Sequence, residues 1–119
     1  MRLMLAMLLT FPLTAVYSGS KMPTPEVIAF VEARRQKDPQ RFAKIFSAME
    51  KTSSDALNAL KKNDWSSVGA ILNEGQRLME AIGVSNEKLG SIVSGLLADG
   101  GILGAKISGS GLGDCVVGL

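Results

Sequence analysis

From residue 24 onward apolar side chains recur at a helical rhythm, interrupted by cap-like residues and glycines. Thr24-Pro25-Glu26 reads as a helix start: Thr24 can accept a bond from an orphan amide, Pro25 has no amide to waste, and Glu26 complements the positive helix end. This first helix is expected to run to about Gln36 with Val27, Ile28 and Val31 as its apolar stripe. Asp38-Pro39 repeats the signal for a longer helix in which Phe42, Ile45, Phe46, Met49, Ala56, Leu57 and Leu60 recur, with Thr52-Ser53-Ser54 as a polar stretch that could bend it and an end near Asn63. Asp64 then caps a third helix that turns Val68, Ile71, Leu72, Leu78, Met79 and Ile82 inward and stops at Gly83. Ser85 is expected to cap a fourth, carrying Leu89, Ile92, Val93, Leu96 and Leu97 as far as Asp99-Gly100-Gly101.

The rhythm then changes. Gly104–Ser108 and Cys115–Leu119 are short β-type segments, separated by Gly109-Ser110-Gly111-Leu112-Gly113-Asp114, and together they predict a hairpin. At the other end, Leu3 to Val16 form a mostly apolar run shorter than the ~20 residues a membrane-spanning helix needs, which leaves an export signal or buried structure. Pro12 splits the run, and Leu13-Thr14-Ala15-Val16-Tyr17, rich in β-branched and aromatic residues, ends at Ser18-Gly19-Ser20 as a strand entering a turn would. The strand is the preferred reading. The expected order is strand, four helices, strand, strand.

Composition narrows the chemistry more than it changes the architecture. A chain of 119 residues suits one domain, and 46% hydrophobic with 20% charged residues is the balance of an ordinary globular protein. The net charge of +2 is spread out, with no basic tract to track a phosphate backbone, so nucleic acid is not an expected partner. Arg34-Arg35 and Lys61-Lys62 read as solvated helix faces. The single cysteine, Cys115, gives no disulfide framework, and a chain without histidine has no histidine triad, usual zinc site or histidine pH switch. Carboxylates, lysines, hydroxyls and backbone amides remain.

Glycines at 109, 111 and 113 permit positive φ angles, close approach of backbone to a ligand and amides free to face an anion. Such a run alone serves equally as a plain hairpin turn. Its surroundings are more specific: Gly104-Ala105-Lys106-Ile107-Ser108-Gly109-Ser110-Gly111-Leu112-Gly113-Asp114-Cys115 resembles the third signature motif of the galactokinase, homoserine kinase, mevalonate kinase and phosphomevalonate kinase superfamily, most closely in its mevalonate kinase branch. Three positions depart from that pattern: Ser110 stands where alanine is usual, and Leu112 and Asp114 where glycine is usual. Asn73-Glu74-Gly75-Gln76 followed by Leu78 to Ser85 is similar to the helix leading to the motif, and Tyr17 to Thr24 is similar to the strand and turn that begin the C-terminal domain.

The resemblance implies an α+β C-terminal domain over residues 13–119, with a ferredoxin-like core: a small antiparallel sheet with about four helices on one face. Residues 1–12 would be a remnant of an interdomain segment, and both ends would be truncated. The implied activity is transfer of the ATP γ-phosphate to a small-molecule acceptor, mevalonate first, a sugar or phosphomevalonate behind it. Ser108, Gly109, Ser110, Gly111 and Gly113 are the implied substrate- or phosphate-facing loop, and Asn73 and Lys106 are candidate substrate contacts. No catalytic residue and no metal ligand is assigned. ATP and magnesium belong to the complete enzyme and neither is expected to be held by this chain alone, because the family's Pro-x-x-x-Gly-Leu-Gly-Ser-Ser nucleotide loop is not in the sequence. The expected partner is therefore an N-terminal nucleotide-binding half, without which the chain is expected to be inactive and to self-associate; the expected location is cytoplasmic. A noncatalytic helical binding module is the alternative of a different class. Plainer roles stand beside the individual residues: Lys106 as a solvated edge lysine, Cys115 as a small core residue, Asp114 as a turn terminator, and Asn73, Glu74 and Gln76 as helix-surface polarity.

Overall fold

The computed structural model describes residues 13–119 and contains β1 (Thr14–Tyr17), α1 (Thr24–Lys37), α2 (Pro39–Lys61), α3 (Trp65–Ala81), α4 (Glu87–Leu97), β2 (Ala105–Ile107) and β3 (Cys115–Gly118). The expected interdomain remnant, residues 1–12, lies outside the described residues.

Two aspartates start helices as the sequence indicated. Asp38 accepts from the Arg41 amide at 3.3 Å at the head of α2. Asp64 accepts from the amide and the hydroxyl of Ser67, at 3.2 and 2.7 Å, and these bonds hold its carboxyl below the usual range. The other two caps differ from expectation. Asn86, not Ser85, caps α4 by accepting from the Leu89 amide at 2.9 Å. Thr24 lies inside the first turn of α1, where the Pro23 carbonyl already accepts from the amides of Glu26 and Val27 and no side chain caps the end.

Helix ends are equally local in origin. After α3, Gly83 takes φ 88°, the Val84 amide donates to Met79 O at 3.2 Å and the Gly83 amide to Glu80 O at 3.0 Å. Asn63, at φ 54°, closes α2 in the same way, with Asp64 N reaching Ala59 O at 2.9 Å. The Thr52-Ser53-Ser54 stretch does not interrupt α2: the hydroxyls of Thr52 and Ser53 donate back to Met49 O at 2.6 and 3.3 Å, and the helix continues to Lys61.

The sheet has the order β1-β3-β2 and is antiparallel throughout. Thr14 faces Gly118 and Tyr17 faces Cys115 on one side of β3; Ala105 faces Gly118 and Ile107 faces Val116 on the other. Because paired residues share a face, Ala105, Ile107 and Val116 turn together into the main core, with Val27, Phe42, Ile45, Met79, Ile82, Val84, Leu89 and Val93 from the helices. Tyr17 turns to the opposite face and is exposed. The helices therefore lie on one face of the sheet, the α+β architecture expected. A smaller cluster joins Ala59, Val68 and Leu119.

Some residues expected inside are not. Ile28 is 62% exposed, and Phe46, Leu57 and Leu97 are also exposed. On α1 only Val27 is buried, so the contact line of this peripheral helix is narrower than its apolar sequence suggests. Among the described residues no helix is long and apolar enough to cross a membrane.

Candidate functional site

The loop joining β2 to β3 is a chain of left-handed residues: Gly109 has φ 88°, Gly111 93°, Leu112 55°, Gly113 131° and Asp114 68°. Gly109 and Gly111 thus take the glycine-favouring geometry expected of them. Leu112 and Asp114 take it too, at a cost of roughly 1–2 kcal/mol each for an L side chain. These are the two positions where the resembled motif has glycine.

The loop is pinned on both flanks. Its Leu112 amide donates to Val84 O at 2.7 Å, and its Asp114 amide donates to Ser20 O at 2.7 Å. The Asp114 carbonyl accepts from Ser18 N at 2.8 Å, while buried Ser18 donates its hydroxyl to Ser20 O at 3.0 Å. At the loop's base, Ser108 N donates to Cys115 O at 2.9 Å. Contact is close enough to require glycine: a Cβ at Gly111 would lie 2.6 Å from Val84 Cβ, and one at Gly113 would lie 2.6 Å from Ser20 O. Gly109 is exposed and open, with only an Asp114 carboxylate oxygen 3.5 Å from such a Cβ.

Pinned in this way, the loop leaves four amides unused. Those of Gly109, Ser110, Gly111 and Gly113 make no hydrogen bond among the described residues, although Gly111 and Gly113 are buried. Such amides suit an anion with several acceptor oxygens, such as a phosphoryl group. The Asp114 carboxylate works against that use. Lys21 Nζ stands 3.8 Å from it, but both side chains are substantially exposed, so solvent screens the pair.

Asn73 and Lys106 are placed at the side of β2, not at the loop tip. Asn73 Oδ1 accepts from the Ala105 amide at 3.0 Å. The Lys106 stem lies against Gly75, where a Cβ would come within 2.8 Å of Lys106 Cε, and its Nζ donates to Ile107 O at 3.0 Å. Lys106 also lines a groove of about 260 Å³ between α2 and α3, with Thr52, Ser53, Ala56, Ile71, Leu72 and Gly75. No loop residue lines this groove. Burial lowers the Lys106 pKa from its ordinary 10.5.

The sign of that shift gives a test. Between the lowered folded value and 10.5 the unfolded chain binds more protons than the folded one, so stability rises with pH across this window; below it the folded state carries the full desolvation cost. Lys106→Met should stabilise the chain at neutral pH and remove that rise, as read by urea unfolding at pH 7 to 10.5. An unchanged pH slope in the variant would refute it.

Gln76 is the polar residue whose position the sequence did not convey. It is 3% exposed, its Oε1 accepts from the Ile107 amide at 2.9 Å, and its Nε2 donates to Glu80 at 3.3 Å. A signal was present in Gly69 and Gly75, since glycine inside a helix costs about 0.5–1 kcal/mol relative to alanine and tends to mark close approach. Glu74 instead pairs with Arg77 on the surface. Cys115 is half-buried and free. No group of three or more Cys, Asp or Glu among the described residues is placed to hold a metal ion.

Comparison with known proteins places these features in a wider setting. The model of the family described as GHMP kinases C terminal matches residues 56–119. A mevalonate kinase of Pyrococcus furiosus is 34% identical over 113 residues, covering 91% of this chain and 34% of the relative. Among solved structures, an L. major mevalonate kinase in complex with R-mevalonate superposes with TM-score 0.86 at 34% identity, covering 90% of this chain and 32% of that one. A Lin0012 protein from Listeria innocua shares the fold, with TM-score 0.83 at 17% identity, 92% of this chain and 32% of its own being covered. The chain spans about a third of the length of these proteins.

Proposed function

The chain belongs to the GHMP kinase family, and from that premise we propose that residues 13–119 act as the C-terminal domain of an ATP-dependent small-molecule kinase whose acceptor is the hydroxyl of mevalonate. The observation that carries this reading is the loop at 108–114, held on both flanks with four amides unused. Family-level resemblance supplies the reaction; the loop supplies a part for this chain in it.

In that role the amides of Gly109, Ser110, Gly111 and Gly113 donate to the oxygens of a phosphoryl group or an anionic acceptor and stabilise charge there without reorganising. The glycines let the backbone come close, and the contacts to Val84 and Ser20 keep the donors in place. ATP with magnesium would supply the transferable phosphoryl group and neutralise its charge. The donor set here fits the anionic part of that assembly. Backbone amides are donors and hold no cation, so in this reading the magnesium belongs to a separate nucleotide-binding half. The acting protein is then cytoplasmic, and the chain by itself is inactive and prone to self-association through the surface its other half would cover.

The test is a coupled ADP-release assay with ATP, magnesium and R-mevalonate on the chain alone, on the chain mixed with the separately expressed N-terminal half of the Pyrococcus furiosus enzyme, and on a fusion of the two. Turnover should require both halves. Activity of the chain alone, or an inactive fusion that is folded, would overturn the reading.

A further inference from the structure

Among the described residues β2 is an edge strand, paired only with β3. Its residue Lys106 faces Val117 across the ladder, so the amides of Ala105 and Ile107 point away from β3, toward the place where another strand would lie. No strand is there among the described residues. Instead α3 runs alongside, and Asn73 Oδ1 and Gln76 Oε1, one turn apart, accept from the two outward amides at 3.0 and 2.9 Å. Gly75 leaves room for the Lys106 stem against α3, and farther up the helix Gly69 meets the chain at Leu103 and Gly104.

We propose that Gln76, together with Asn73, is a positioning device for the glycine loop: two side-chain carbonyls replace a neighbouring strand on β2 and set where residues 108–113 leave the sheet. Ile107, which Gln76 holds, is the last residue of β2, immediately before the loop. A displacement of its amide is passed directly to Ser108 and Gly109, with no intervening turn to absorb it. Gln76 is itself oriented, because its Nε2 donates to Glu80 while its Oε1 serves Ile107. The amide therefore cannot flip without losing both bonds. Asn73 repeats the contact at the other end of the three-residue strand and prevents rotation about the Gln76 bond. The loop's use in phosphoryl transfer rests on the kinase reading above; the positioning does not.

The test uses amide exchange and ¹H–¹⁵N spectra of the whole 119-residue chain. Gln76→Met keeps the length of the side chain and removes the acceptor. It should lower protection of the Ile107 amide by about tenfold or more and shift the resonances of Gly109, Ser110, Gly111 and Gly113. Val68→Ala, on the same helix but in the smaller core cluster, should lower the melting temperature while leaving those resonances in place. The double change Gln76→Glu with Glu80→Gln keeps an acceptor for Ile107 and exchanges donor and acceptor in the pair beside it, and should restore the loop resonances. If the loop shifts no more in Gln76→Met than in Val68→Ala, or if the exchanged pair fails to restore it, the proposal is wrong. Should Gln76→Met not fold, Asn73→Ala carries the same measurement at Ala105, where loss of protection with a shifted loop supports the device and an unmoved loop overturns it. None of these readouts requires turnover, so they are independent of the complementation assay.

Discussion

Gly111→Val should destabilise the chain by on the order of 3–5 kcal/mol, combining a β-branched side chain at φ 93° with overpacking against Val84. The near neighbours of the added Cβ include the carbonyl oxygen of Val84, which is backbone and is already fixed by the turn that closes α3. That atom cannot step aside without opening the Val84 to Leu112 hydrogen bond, so the strain spreads to both flanks of the loop. In thermal unfolding the change should appear as a fall of roughly 10–20 °C for a domain of this size. Gly109→Ala is the internal comparison. It has the same sign of φ but open surroundings, and should cost only about 1 kcal/mol. Equal losses at the two positions would mean that backbone conformation alone, and not packing against Val84, governs the loop.

Gly104→Ala should lose about 3 kcal/mol or more, although it adds a single methyl group. The added Cβ would fall on the backbone of Gly69, closer to its carbonyl oxygen than any real contact allows and 2.7 Å from its Cα. Both sides of this contact are main chain, so relief requires moving α3 bodily away from the segment that leads into β2. Gly69→Ala strains the same junction from the helix side, 2.6 Å from Leu103 O. The two changes should therefore be strongly non-additive when combined. Gly90→Ala provides a contrast of opposite sign: it lies within α4 with no described residue inside 4 Å of an added Cβ, and should stabilise by about 0.5–1 kcal/mol. Urea unfolding of the four variants decides the matter, and a Gly104→Ala chain as stable as the parent would contradict the close packing of α3 on this segment.

The elements that the residues announced most clearly were those whose signals are local. Asp38 and Asp64 reach amides three residues away, and Gly83 turns on its own φ, so each can be read from a few neighbours. The competition between Ser85 and Asn86 for one cap is decided by a backbone trajectory that neighbouring sequence does not specify, and the longer side chain one residue later won. Periodicity identified the helices but overestimated the width of their buried faces, because Ile28 and Phe46 satisfy the helical spacing whether or not another element covers them. At the candidate site, the positive φ of Gly109 and Gly111 was legible in the glycine pattern, whereas that of Leu112 was not, since leucine normally avoids it, and Asp114 offered only the weaker signal of a residue type that tolerates it. In the sequence Asn73 reads as a candidate substrate contact and Gln76 as helix-surface polarity, and neither reading conveys a bond to β2. Their partners, Ala105 and Ile107, are some thirty residues away, and which side-chain amide meets which backbone amide depends on how α3 lies against β2.

The pairing of Thr14 with Gly118 has an architectural consequence. The chain leads into β1 and away from β3 at directly opposed positions, whose Cα atoms in an antiparallel ladder stand only about 5 Å apart. A larger polypeptide could therefore carry this unit as a side excursion, leaving its own path and rejoining it at almost the same point. Evolution or an engineer could graft the whole helical layer and its glycine loop onto another scaffold with two adjacent junctions, and a register shift at either junction would be felt first where β1 meets β3.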